Sequence, residues 1–73
     1  MEKHYVEVGR AYMLTLPWSE VCMHMKVADK SMTAEILPTG VQLLNPDGSR
    51  FSAPITHGEA GLYRDETGLY FLA

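Results

Sequence analysis

Met32-Thr-Ala-Glu-Ile-Leu37 runs into Pro38-Thr-Gly40, then Val41-Gln-Leu-Leu-Asn45, then Pro46-Asp-Gly-Ser49, then Arg50-Phe-Ser-Ala-Pro-Ile55. Three short apolar runs parted by two turn signals predict a three-stranded antiparallel meander. Alternation puts Met32, Ala34 and Ile36 on one face of the first run, with Thr33, Glu35 and Leu37 on the other. Gly40 tolerates positive φ and closes the first turn with Pro38 and Thr39. In the central run Val41 and Leu43 share a face opposite Gln42 and Leu44. Asn45-Pro46-Asp47-Gly48 fits a type I turn ending in a left-handed glycine, a common hairpin solution. Phe51 and Ala53 are then expected to return to the core before Pro54 ends the strand.

Upstream, Lys3 to Val8 alternates, with Tyr5 and Glu7 facing one way and His4, Val6 and Val8 the other. Gly9 breaks this first strand. Ala11 to Leu16 follows, with Tyr12, Leu14 and Leu16 on one side. Gly9-Arg10 is short for a hairpin turn, so two strands, or one long strand bent at a glycine bulge, both fit. Beyond Pro17 the pattern is ambiguous. Trp18, Val21, Cys22 and Met25 have helical spacing, whereas Val21, Met23, Met25 and Val27 alternate as in a strand. The strand is favoured, with a short helix around 17–25 as the alternative, since proline suits a first helical turn.

Downstream, Thr56 to Gly61 reads as a loop. Gly-Leu-Tyr occurs twice, at 61–63 and 68–70, and each copy reads as a strand after a glycine. Together they make a terminal hairpin over 61–72. An isolated hairpin is marginally stable, so 56–73 must dock on the meander or stay loosely attached. The fold expected is one mainly β domain, a small antiparallel meander or partly open, SH3-like barrel.

Seventy-three residues leave room for one core and little room for walls around a pocket. The chain is 47% hydrophobic and 21% charged, which is globular composition. Its net charge is −3, and the six basic residues (Lys3, Arg10, Lys26, Lys30, Arg50, Arg64) are scattered. Direct nucleic-acid binding calls for a concentrated basic face, so none is expected. Cys22 is the lone cysteine, which excludes an internal disulfide and a thiolate zinc site. No apolar run reaches the roughly 18 residues of a membrane span, and Met-Glu-Lys-His-Tyr does not open a signal peptide. A reducing, cytoplasmic setting is expected.

Chemistry-bearing residues are dispersed. His4, His24 and His57 match no metal-ligand spacing. Ser19, Ser31, Ser49 and Ser52 lie in no nucleophile elbow, and Asp65-Glu66 is explained by a turn. No catalytic, cofactor or metal site is expected, and the protein is read as non-enzymatic. Met13, Met23, Met25 and Met32 suit either gap-filling in a small core or an adaptable binding surface. Tyr63, Tyr70 and Phe71 are expected to be partly exposed on the terminal hairpin. Aromatic residues there suit interface anchors.

Length, acidity, β-rich pattern and the lack of catalytic residues together resemble the small transcription regulators of lytic Xanthomonas phages. The resemblance spans the whole chain, rests on no single motif and transfers no functional residue. It implies a protein that binds host RNA polymerase through the large subunits, near the clamp and RNA-exit channel, inhibiting initiation and preventing termination. In that setting the first strand and Leu69 to Leu72 are the expected contact segments, by strand addition or tail insertion. The residues expected at the contact are Tyr5, Glu7, Tyr63, Leu69, Tyr70, Phe71 and Leu72. The alternative is a generic small β-barrel module that binds another protein, a peptide or RNA.

Overall fold

The computed structural model describes residues 2–14, 18 and 31–73. Its strands are β1 (Lys3–Val6), β2 (Ala11–Met13), β3 (Thr33–Ile36), β4 (Gly40–Leu44), β5 (Ile55–Thr56), β6 (Tyr63–Arg64) and β7 (Leu69–Leu72). They form two antiparallel sheets, ordered β1-β7-β6 and β2-β3-β4-β5, and do not close into a barrel. The expected short helix, and the choice between helix and strand over 17–28, lie outside the described residues apart from Trp18.

Period-two patterning builds the core from both sheets. Met32, Ala34, Ile36, Val41 and Leu43 come from the four-stranded side, and Val6, Leu69 and Phe71 from the three-stranded side. Leu14, Trp18, Ala60 and Leu62 fill the remainder. Trp18 stacks on Phe71 at 5.7 Å between ring centroids and donates its indole N–H to the Ala60 carbonyl at 2.6 Å. A buried indole needs such an acceptor, because an unpaired donor there is expensive.

Gly9 carries the chain from one sheet to the other. Its φ is +90°, and Arg10 N–H donates to the Glu7 carbonyl across a type II turn. Gly9 N–H donates to the Ile36 carbonyl, and Ile36 N–H to the Arg10 carbonyl, which is the bonding of a glycine bulge. A glycine bulge is therefore present, but β1 and β2 are two strands in different sheets and not one long strand bent at it. Val8 rides on the turn and is exposed instead of facing inward with Val6.

The meander forms at its first two strands and lapses at its third. Gly48, at φ +90°, donates its N–H to the Asn45 carbonyl, and Asn45 N–H donates to the Ser49 carbonyl, so the expected turn is present. Leu44 then bridges Arg50, and Phe51 N–H reaches the Leu43 carbonyl. Regular pairing returns only where β5 sets Ile55 against Val41 and Thr56 against Gly40. From Val41 to Leu44 is three steps, but from Arg50 to Ile55 is five, so two extra residues loop out. Phe51 and Ala53 are consequently exposed, contrary to the expectation that they return to the core. Pro54 has no N–H to offer the ladder. Gln42 takes its place: its buried amide donates to the Leu43 carbonyl at 2.8 Å and the Ser52 carbonyl at 2.7 Å.

Thr56 to Leu62 is a capped helical turn, not the loose loop its composition suggests. The Thr56 hydroxyl accepts Glu59 N–H and donates to the Glu59 carboxylate, a side-chain cap at the turn's start. At its end Leu62 N–H reaches the His57 carbonyl and Gly61 N–H the Gly58 carbonyl, with Gly61 at φ +73°. Those two bonds around a left-handed glycine are a Schellman ending. The turn presents the buried Ala60 to Trp18 and delivers Leu62 to the core.

The terminal hairpin forms as expected, with Tyr63 opposite Tyr70 and Arg64 opposite Leu69. The Asp65 side chain accepts Thr67 N–H and Gly68 N–H, which closes its turn. The hairpin's second strand, β7, is the centre of its sheet, because β1 pairs along its whole length on the far side.

Candidate protein-interaction face

The register of the three-stranded sheet places Tyr5 opposite Tyr70 and Tyr70 opposite Tyr63. Directly opposed residues in antiparallel strands share a face, so the three rings form one row across the sheet. Tyr5 and Tyr70 lie 5.6 Å apart between centroids, and Tyr70 and Tyr63 5.8 Å. The row turns away from the core. Tyr5 and Tyr63 are 45% and 54% exposed, while Tyr70 between them is half-buried.

Lys3 and Asp65 fasten this row. The Asp65 carboxylate accepts the Tyr5 hydroxyl at 2.6 Å and the Lys3 ammonium at 2.9 Å. Lys3 Nζ also sits 4.7 Å from the Tyr70 ring centroid, in cation–π range. The Tyr5 hydroxyl and then Lys3 hold the Asp65 carboxyl well below the usual carboxylate range. The same bond to Asp65 pushes the Tyr5 phenol and the Lys3 ammonium upward. Two groups from the start of the chain and one from the hairpin turn thus fix ring orientation, and Lys3 brings little unbalanced charge.

The expected contact residues divide between two faces. Tyr5, Tyr63 and Tyr70 are brought together, and Leu72, half-buried, lies opposite Lys3 at the end of the same face. Leu69 is buried and points the other way. Phe71, expected to be partly exposed, is 3% exposed, because β7 alternates and its inner face is core. It stacks on His4 at 5.0 Å as well as on Trp18. Glu7 lies past the end of β1, with its N–H donated to the Tyr12 hydroxyl and its carboxylate 3.8 Å from Arg10. It is exposed but outside the row.

Lys3 and Asp65 are the members that sequence reading passed over. A turn explained Asp65, and nothing local connects it to residues sixty positions earlier. Among the described residues, no group of three or more His, Cys, Asp and Glu side chains could hold a metal ion. Nor is any described helix long and apolar enough to cross a membrane. Compared with known proteins, the chain matches no family model, no curated protein and no solved structure.

Proposed function

We propose that this protein is a non-enzymatic binding module whose tyrosine row docks on a host protein, and that the host protein is RNA polymerase. The observation that carries the docking reading is the row itself: three tyrosines in register, two of them about half exposed, with Tyr5 bonded to Asp65 and Lys3 over the Tyr70 ring. Tyrosines supply large contact area at low entropic cost, and interface hot spots are enriched in them. Pre-fixed rings lose less freedom on binding than mobile ones. Base stacking on the same rings is the competing use, but it works with a basic track for the backbone. Here Lys3, which lies over the Tyr70 ring, is already paired with Asp65. The choice of polymerase comes from the whole-chain resemblance; in that reading the row contacts a large subunit and interferes with initiation and termination.

Tyr63→Ala is the discriminating variant, because this side chain is exposed and its removal leaves the core intact. Tagged native protein should retain the large polymerase subunits from bacterial lysate and bind purified core polymerase. Tyr63→Ala should weaken that binding by about 2 kcal/mol, roughly thirty-fold, as for a hot-spot truncation, with unchanged circular dichroism. Failure of native protein to retain polymerase would remove the partner. Equal binding by the variant would remove the row. A salt-sensitive mobility shift with single-stranded RNA, absent from Tyr63→Ala, would transfer the row to the competing use.

A further inference from the structure

We infer that the outer edge of β1 is a self-association site, at which two copies pair antiparallel and join their three-stranded sheets into one of six strands. Glu2 and Ala73 exchange both backbone hydrogen bonds, at 2.8 and 3.1 Å. Antiparallel ladders alternate bonded and non-bonded pairs, so His4 and Val6 turn their N–H and C=O toward β7. Lys3 and Tyr5 therefore aim theirs away from the sheet, and no described residue meets them there.

Natural sheets blunt such edges with brevity, bulges, proline or charge. The other edges show these devices. Strand β6 has two residues, β5 has two and follows the looped-out segment ending in Pro54, and β2 has three and enters through the Gly9 bulge. Strand β1 has four regular residues and no proline. Its one charge, Lys3, is engaged by Asp65 on the same sheet.

The edge is also self-complementary. Placing His4 opposite His4 of a second copy sets Lys3 against Tyr5 and Tyr5 against Lys3. All four outward backbone groups on each copy are then used, in four hydrogen bonds. Within the paired stretch no two like-charged side chains are opposed, since Glu2 meets Val6 and Lys3 meets Tyr5. Lys3 lands beside a second tyrosine, which favours the pair. A register centred on Tyr5 is poorer, because it calls on Glu7, whose N–H and C=O are held by Tyr12 and Arg10. In the favoured register the two tyrosine rows lie on one continuous face.

An interface this narrow belongs to the weak class, so association is expected at concentrations on the order of 10 µM to 1 mM. Sedimentation velocity of the purified protein should show mass rising from 8.2 kDa toward twice that value across this range. Cys22 is a natural ligation junction, so the chain can be assembled synthetically with an N-methyl group on Tyr5. That variant should keep the native circular dichroism and remain monomeric, because only an outward N–H is lost. A second test is His4→Cys with Cys22→Ser. Opposed non-bonded pairs bring Cα atoms to about 4.5 Å, within disulfide reach, so mild oxidation should yield a covalent dimer. A native protein that stays monomeric to 1 mM, or a double variant that forms no disulfide-linked dimer, would overturn the inference. So would an N-methyl variant that associates like native protein. None of these readouts involves polymerase.

Discussion

Asp65 joins both ends of the chain to one carboxylate: Oδ2 takes Tyr5 and Lys3, and Oδ1 takes the backbone of Thr67 and Gly68. Asp65→Asn keeps an oxygen for the turn and removes the charge, so it isolates the clamp. The pH dependence follows from linkage. Asp65 is depressed below its ordinary 3.8, so its contribution is complete above that value and is lost as pH falls through the folded value. Lys3 and Tyr5 are raised above 10.5 and 10.0, so theirs is complete below those values and lost as pH rises through the folded ones. The urea midpoint of native protein should exceed that of Asp65→Asn by a constant amount through neutral pH. The gap should narrow on acidification below about pH 4 and again above about pH 10. A gap that stays constant into acid would show that the charge does not act through the clamp. At the core, Trp18→Phe retains an aromatic ring against Phe71 but orphans the Ala60 carbonyl, at a cost of about 1–3 kcal/mol. Trp18→Ala should cost about 3–5 kcal/mol. Urea titration of the two variants separates the bond from the packing.

The elements of the fold are governed by a few backbone positions, and glycines 40 and 48 test two different causes. A Cβ on Gly40 would collide with the Ile55 carbonyl oxygen, which belongs to the backbone of β5 and cannot swing aside. Gly40→Ala should cost about 1–3 kcal/mol, as overpacking does, and should speed amide exchange in β5 selectively. Gly48 has open space around a would-be Cβ but sits at φ +90°. Gly48→Ala should cost about 1–2 kcal/mol through backbone strain alone, leaving β5 protected. The two glycines also mark what was legible in the sequence. Asn45-Pro46-Asp47-Gly48 announced its turn because those residues have local reasons to turn. The loss of the third meander strand was less legible, since Phe51 and Ala53 alternate correctly and only Pro54 argues against pairing. Gln42 decides the matter through two side-chain bonds that period-two reading cannot foresee. The cap at Thr56 was written in the sequence as Thr-x-x-Glu, but without a following apolar run the signature reads as loop.

At the scale of the molecule, the part hardest to read was the closure of the chain on itself. Strand β1 is an alternating run with no indication of its partner, and its partner is the last strand, β7. That pairing splits what looked like one meander-based barrel into two sheets, and it makes the terminal hairpin the middle of one of them. Removing residues 62–73 is therefore expected to do more than trim a contact segment. It takes Leu62, Leu69 and Phe71 out of the core, removes the only strand among the described residues that pairs with β1, and strips Trp18 and His4 of their stacking partner. A chain of 73 residues has about 4–11 kcal/mol of stability in all, and loss of a buried phenylalanine side chain alone costs about 3–5 kcal/mol. The truncated chain should lose its β circular dichroism and its dispersed amide spectrum at neutral pH. A dispersed spectrum for 1–61 would show instead that the four-stranded sheet folds by itself. With the first outcome, lost binding by the truncation says nothing about contacts. Point variants on the exposed tyrosines then decide where a partner sits, because they change the outer face while leaving β7 in place.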